Sequence, residues 1–133
     1  MNILFLGGDK RYRFMMSNLS NEHVVYQIGF NNIEDAKDIY ITNKNISNFD
    51  IVIFPLSGIN DKQEIKCEQE FIYLPDYTFS KINDKTIFFT GIKTKKMLEI
   101  IPEKQIISFL DDEEVEKVNN KLTVERSNWG YKK

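Results

Sequence analysis

The sequence predicts an α/β fold: a three-layer, Rossmann-like or flavodoxin-like domain with a mainly parallel sheet of about five strands. Three observations predict it. Short apolar segments recur along the chain without polar alternation, which is typical of parallel strands buried on both faces. Amphipathic segments of helical spacing separate several of them. The chain has 133 residues, 41% of them hydrophobic, so a single domain can bury a core without disulfides or metals.

Five apolar segments are expected to form the sheet. They lie near residues 2–6, 23–28, 51–54, 86–90 and 105–109. Several end at a glycine or a proline, which is typical of the end of a strand. Between them, Asp9 is expected to cap a helix over residues 10–18, and another helix is expected over residues 94–100. Helices should therefore cover both faces of the sheet.

The remaining segments carry weaker patterns. They predict a helical turn over 33–36, a short edge strand over 39–41, a hairpin outside the main sheet from 65–67 and 71–74, and an acidic helix start at 111–114. We assign residues 1–120 to the Rossmann-like domain and residues 121–133 to a C-terminal tail.

Composition and charge exclude several function classes. The chain has 18 basic and 20 acidic residues and a formal net charge of −2, so no positive field favours nucleic acid. The single cysteine, Cys67, favours a reducing compartment, and one His with one Cys cannot form an ordinary zinc site. The N-terminus lacks signal-peptide features, and no apolar run approaches the roughly 20 residues of a membrane span. We expect a cytoplasmic protein that binds no metal, no nucleic acid and no membrane.

The loops at the carboxyl ends of the predicted strands are the candidate binding site, because open parallel sheets bind ligands there. In the first loop, Gly7, Gly8, Asp9 and Arg11 combine glycine backbone with a helix N-terminus and a guanidinium, which suits an anion or a carboxylate. The alternative is that these turns need glycine for their geometry alone. Arg11 is correspondingly either a carboxylate ligand or a solvated residue paired with Asp9.

Two other strand ends complete the candidate site. Pro55, Ser57 and Gly58 follow the third apolar segment, and Gly91 follows the fourth. Ser57 lies outside a nucleophile elbow and has no evident His partner, so no catalytic residue is assigned. The dinucleotide fingerprint G-x-G-x-x-G and the P-loop are both absent. We therefore expect no cofactor on this chain.

Four segments carry a family resemblance: ILFLGGDKRY at the first strand, IGFNN after the second, IVIFPLSGIN at the third and IFFTGIKT at the fourth. Their order and spacing over residues 3–94 resemble those of the N-terminal domain of the dipicolinate synthase A subunit. The segment FLDDEEVEKVNNKLTVE is similar to that family's passage towards its second domain. The chain departs from the family where Leu122 and Arg126 stand in place of a proline and a glycine.

The resemblance implies an activity and its context. Family members look like relatives of 2-hydroxyacid dehydrogenases, with a smaller N-terminal domain followed by a Rossmann domain that binds NAD(P). With a flavoprotein-like B subunit, they oxidise dihydrodipicolinate to dipicolinate during sporulation. The resemblance implies substrate contacts in the interdomain cleft at Gly7, Gly8, Asp9, Arg11, Pro55, Ser57, Gly58 and Gly91. NAD(P) is expected only on a missing or partner domain, so the isolated chain is not expected to be catalytic.

Other functions remain open at this point. The chain can be a non-catalytic small-molecule-binding or protein-interaction domain of the same fold, or a flavodoxin-like domain that binds a phosphate at the same loops. The expected partners are a small dicarboxylate, a dipicolinate synthase B-like subunit or nucleotide-binding domain, and a second copy of the chain in a homodimer.

Overall fold

A six-stranded parallel sheet organises residues 1–110, the part of the chain that the computed structural model describes. The strands are β1 (Asn2–Leu6), β2 (Val24–Ile28), β3 (Lys37–Asp38), β4 (Ile51–Ile53), β5 (Glu64–Lys66), β6 (Phe71–Tyr73), β7 (Ile87–Thr90) and β8 (Ile106–Ser108). The sheet order is β3-β2-β1-β4-β7-β8, and all neighbouring pairs are parallel. β5 and β6 form a separate antiparallel hairpin. The predicted parallel sheet and the predicted hairpin are confirmed.

The edge of the sheet differs from the prediction. β3 pairs with the end of β2, whereas the sequence predicts an edge strand at residues 39–41. Residues 34–36 form bends, and no helical turn is present over 33–36. Ala36 and Phe30 are buried in the same apolar cluster, so the connection after β2 is anchored at both of its ends. The chain therefore returns to the edge of β2 earlier than its apolar pattern indicates.

Two α-helices and three short 3-10 turns join the strands. They are α1 (Arg11–Leu19), α2 (Lys95–Ile100) and the turns Ile46–Asn48, Asp76–Phe79 and Glu103–Gln105. Thr94 caps α2, because its Oγ1 accepts a hydrogen bond from the backbone N–H of Met97 at 3.1 Å. The cap of α1 is shifted from the prediction by one residue. Lys10 is the N-cap, and Asp9 accepts a hydrogen bond from the backbone N–H of Arg11 at 2.9 Å.

One face of the sheet carries the larger core. Leu4, Val52 and Phe88 are fully buried on this face, which lies against the hairpin and α2. The hairpin contributes Ile65 to the same cluster, and α2 contributes Met97. Burying each such side chain stabilises the fold by about 1.5–3 kcal/mol. The hairpin is therefore part of the main core, although it lies outside the sheet.

The opposite face is covered mainly by α1. Tyr12 and Met16 of α1 pack in one cluster with Ile3 and Phe5 of β1. The side chains of β7 and β8 on this face are more exposed. Within residues 1–110, helices therefore cover less of this face than the sequence predicts.

Residues 111–133 lie outside the described part of the chain. The predicted acidic helix start and the predicted boundary at residue 120 both fall in that segment, so they stay predictions. Within residues 1–110, no helix is long and apolar enough to cross a membrane.

Candidate binding site at the strand ends

A cleft of about 270 Å³ opens at the carboxyl ends of β1 and β4. The two strands are neighbours, and the chain continues from β1 to one side of the sheet and from β4 to the other, so the cleft lies at the topological switch point. The β1–α1 loop, the turn after β4 and the hairpin line it with Gly8, Asp9, Arg11, Pro55, Leu56, Ser57, Lys66, Cys67 and Glu68. The predicted site residues Gly7, Gly58 and Gly91 do not line it.

The glycines of the β1–α1 loop are in contact with the hairpin. The backbone N–H of Gly7 donates to Ile28 O, and that of Gly8 donates to Lys66 O, each at 3.0 Å. A Cβ at Gly7 would lie 2.8 Å from Lys66 O, and Gly7 has φ +77°, a left-handed conformation that favours glycine. Both N–H groups are thus already hydrogen-bonded within the protein, so neither is free for an anion.

Gly29 packs against the hairpin at the end of β2, as Gly7 does at the end of β1. Its φ is +95°, and a Cβ there would lie 2.4 Å from Cys67 Sγ. Cys67 is buried, and burial raises the pKa of its thiol to about 11, so the thiol is protonated and a poor nucleophile at neutral pH. The cysteine is therefore a packing residue that holds the hairpin against the two strand ends.

Asp9 and Arg11 form an ion pair at the rim of the cleft. Nε of Arg11 donates to both carboxylate oxygens of Asp9 at 3.1 Å, and Nη2 donates to Oδ2. The hydrogen bond from the Arg11 side chain lowers the pKa of Asp9 below its usual value. Because the Arg11 side chain is 70% exposed, this pair stabilises the fold little. One edge of the guanidinium is occupied by Asp9, which leaves fewer donors for a ligand than the sequence suggests.

A second, less exposed ion pair connects α1 to the hairpin. Arg13 donates from Nε and Nη2 to the two carboxylate oxygens of Glu68 at 2.6 Å, and from Nη2 to Asn31 O at 2.9 Å. The Glu68 side chain is only 10% exposed. The hydrogen bonds from Arg13 lower the pKa of Glu68, so it is ionised at neutral pH. This contact fixes the end of the hairpin, and with it Lys66, beside the cleft.

The turn after β4 forms the opposite wall. The backbone N–H of Gly58 donates to Pro55 O at 2.9 Å and closes the turn. Gly91 packs against the backbone of this turn, because a Cβ there would lie 2.4 Å from Leu56 O. The predicted residues Gly58 and Gly91 thus shape the wall without lining the cleft.

The exposed part of this turn has free donors. Among residues 1–110, the backbone N–H groups of Leu56 and Ser57 and the Ser57 hydroxyl form no hydrogen bond. Both residues line the cleft. A carboxylate that enters the cleft can therefore accept hydrogen bonds here without displacing a protein group.

Lys66 supplies the remaining positive charge of the cleft. The charges of Asp9 and Glu68 are balanced by their arginine partners, whereas Lys66 forms no ion pair within the described residues. The sequence analysis missed Lys66, because it lies on the hairpin and not at the end of a main strand. No local motif marks it; only the docking of the hairpin brings it to the cleft.

The same described residues contain no cluster of three or more His, Cys, Asp or Glu side chains that could hold a metal ion. The charged and polar groups that line the cleft thus include the Lys66 ammonium, the Ser57 hydroxyl, backbone N–H groups, the ion pair at the rim, and the Glu68 carboxylate, whose charge Arg13 balances. Such a set suits the binding of an anion.

Comparison with known proteins identifies the family. The family described as the N-terminal domain of the dipicolinate synthase A subunit matches residues 2–109. The chain belongs to that family. This confirms the resemblance found in the four strand-end segments.

Two crystal structures share the fold. The dipicolinate synthase A subunit from Bacillus halodurans superposes with a TM-score of 0.73 at 17% identity, over 95% of this chain and 46% of that protein. Dipicolinate synthase, A chain, from Bacillus subtilis superposes with a TM-score of 0.71 at 17% identity, over 97% of this chain and 46% of that protein. The chain thus spans less than half the length of either protein. No curated protein matches the sequence.

Proposed function

We propose that the chain is the substrate-side domain of a dipicolinate-synthase-type oxidoreductase and that its cleft binds a small dicarboxylate, dihydrodipicolinate or dipicolinate. The observation that carries the proposal is that Lys66 and the free donors of the turn after β4 line the same cleft. This cleft lies at the switch point of the sheet in a domain that belongs to the family. We assign this domain the binding and orientation of the substrate for its oxidation during sporulation.

The two walls suit two carboxylates. The Lys66 ammonium binds one carboxylate, and the N–H groups of Leu56 and Ser57 with the Ser57 hydroxyl bind the other. Charge-assisted hydrogen bonds of this kind are worth about 1.5–3 kcal/mol each. The cleft of about 270 Å³ is smaller than the roughly 300–1,000 Å³ pockets of drug-sized ligands, which favours a small ring over a nucleotide.

The nicotinamide cofactor belongs, in this proposal, to another domain. A pyrophosphate laid on the β1–α1 turn would need free N–H groups, and those of Gly7 and Gly8 are hydrogen-bonded to the protein. The hairpin also covers that turn. These residues therefore do not fit NAD(P), and we assign it to a nucleotide-binding domain of the full enzyme or of a partner, acting with a B-like subunit. The isolated chain binds substrate and does not oxidise it.

Thermal unfolding of the isolated chain tests the proposal. Dipicolinate at 100 times its dissociation constant should stabilise the fold by about 2.7 kcal/mol. Picolinate, which has one carboxylate, should stabilise it much less, and NADH should leave the melting temperature unchanged. Equal shifts with picolinate and dipicolinate would contradict recognition of a dicarboxylate. A shift with NADH alone would assign the cleft to a nucleotide.

A further inference from the structure

Tyr12, in the first turn of α1, lies between the two walls of the cleft. The residue is only 7% exposed. Its phenol donates a buried hydrogen bond to Phe54 O at 3.0 Å. Its ring meets that of Phe5 edge-on, with 5.8 Å between the ring centroids. These two contacts together fix the direction of the Tyr12 side chain.

The ring of Tyr12 supports the wall that carries Lys66. Gly8 lies directly against this ring, because a Cβ at Gly8 would collide with its carbon atoms. The backbone N–H of Gly8 in turn donates to Lys66 O at 3.0 Å. The β1–α1 loop is thus held between the Tyr12 ring and the hairpin. Displacement of the ring would therefore change the position of Gly8, and through it that of Lys66.

The hydroxyl of Tyr12 supports the opposite wall. Within residues 1–110, no backbone N–H donates to Phe54 O, so the phenol is the donor that satisfies this buried carbonyl. The peptide group that joins Phe54 to Pro55 is planar, and the proline ring fixes the φ of Pro55. The phenol therefore sets the orientation of the peptide from which the turn begins. The free N–H groups of this wall belong to Leu56 and Ser57, the two residues after Pro55.

We propose that Tyr12 is a positioning residue that sets the distance between the two carboxylate-binding walls. The inference rests on the proposed function, since it concerns the same cleft. One side chain contacts both walls: through Gly8 it supports Lys66, and through Phe54 O it supports the donors of the turn after β4. The two carboxylates of dipicolinate are held apart by a rigid ring. The separation of the walls therefore selects it over a ligand with one carboxylate, and Tyr12 maintains that separation.

The phenol of Tyr12 remains a hydrogen-bond donor at neutral pH. Burial raises the pKa of Tyr12 to about 12, so its hydroxyl keeps its proton. The carbonyl that it binds belongs to Phe54, which is fully buried. Removal of the hydroxyl would leave this carbonyl without a partner, and the turn would have to move for the carbonyl to reach water.

Calorimetry on Tyr12→Phe in the full chain tests this inference, because the substitution removes the hydroxyl and retains the ring. We expect dipicolinate to bind about tenfold more weakly. Picolinate should bind less than about threefold more weakly, since one carboxylate needs only one wall. Unchanged affinity for dipicolinate, or equal losses for the two ligands, would overturn the inference.

Thr86→Val provides the matched control. Oγ1 of Thr86 donates a buried hydrogen bond to Phe49 O at 2.7 Å, so this substitution also removes a hydroxyl from a main-chain carbonyl. The two residues lie just before β7 and β4, at the end of the sheet opposite the cleft. We expect both variants to lower the melting temperature by about 4 °C, whereas only Tyr12→Phe weakens dipicolinate binding. An equal loss of affinity in Thr86→Val would overturn the inference, because reduced stability alone would then explain the loss.

Amide chemical shifts of the ligand-free variants add a measurement that does not depend on the ligand. The amides of Leu56 and Ser57 should shift in Tyr12→Phe and stay unchanged in Thr86→Val. Unshifted amides at both residues of Tyr12→Phe would overturn the inference. The wild type separates the two proposals. If it does not bind dipicolinate, the proposed function fails together with this inference, whereas wild-type binding that Tyr12→Phe leaves unchanged would overturn this inference alone.

Discussion

The ends of β1 and β2 differ from the end of β4 in which backbone donors they leave open. Gly7 and Gly29 lie beneath Lys66 and Cys67 of the hairpin, and a side chain at either position would collide with it. The turn after β4 ends at Gly58, where a side chain would collide with Met97 and Thr94, but Leu56 and Ser57 within the turn are open to the cleft. In the sequence all these positions are glycines that follow apolar strands. The comparison shows that a glycine after an apolar strand marks close packing in this protein, and that the open donors belong to the residues before Gly58.

Gly29→Ala should produce the largest loss of stability. The new Cβ meets Cys67 in a left-handed backbone conformation, and strain with overpacking should together lower the free energy of unfolding by about 3 kcal/mol. Urea denaturation measures the loss. Cys67→Ala in the same chain should recover part of it, because Sγ is the nearest contact. A loss below about 1 kcal/mol would contradict close docking of the hairpin.

Lys66→Ala should produce the largest loss of binding. Removing the ammonium should weaken dipicolinate binding by about tenfold to a hundredfold with little change in the melting temperature. Isothermal titration calorimetry measures the affinity. The exposed Lys62, which does not line the cleft, provides the matched control: Lys62→Ala should leave the affinity unchanged. Equal losses in both variants would reduce the role of Lys66 to general electrostatic attraction.

Glu68→Gln should destabilise the fold by about 1–2 kcal/mol at neutral pH, since Arg13 loses a charged partner that is partly screened by solvent. The pKa of Glu68 is lowered in the folded protein. Its contribution is therefore present above the unfolded pKa of about 4.3 and is lost as the pH falls through the folded pKa.

Urea denaturation at pH 7 and at pH 3 measures this dependence. The difference between the wild type and Glu68→Gln should shrink at pH 3. Glu22→Gln, at an exposed position without an ion pair among the described residues, is the control for the loss of a carboxylate alone. A difference that stays constant with pH would contradict the ionised pair.

Arg11→Ala should have the smallest effect, about a threefold loss of dipicolinate affinity. Its guanidinium is exposed and already bound to Asp9, so it adds little to the cleft. In Arg11→Ala, the unpaired Asp9 carboxylate would also repel the bound dicarboxylate. Calorimetry on the double variant Asp9→Ala/Arg11→Ala removes this repulsion and measures the contribution of Arg11 alone. A hundredfold loss in the double variant would restore Arg11 as the main carboxylate ligand.

Most of the sheet could be predicted because five of its six strands have their own apolar signal. Segments such as residues 51–54 are buried on both faces, and burial of that kind leaves a continuous apolar run in the sequence. The hairpin was also visible in the sequence, although its docking was not. Edge strand β3 was misplaced because a two-residue edge pair depends on its neighbour and not on its own composition.

The position of the cleft was predictable from the sequence, but the groups that line it were not. The rule of strand ends located it, since β1 and β4 meet at the switch point. The role of Lys66 and the occupied N–H group of Gly8 follow from the hairpin, whose position depends on long-range packing, while the N–H group of Gly7 is occupied by Ile28 O at the end of β2. The partners of backbone donors therefore had to be seen in the structure.

The most direct test of the account is a titration of the isotopically labelled chain with dipicolinate, followed by amide chemical shifts. The account predicts that the largest shifts occur at Leu56, Ser57 and Lys66, while amides of the covered glycines at the ends of β1 and β2 shift little. Largest shifts around Phe89 and Phe109, or no saturable shifts at all, would contradict it.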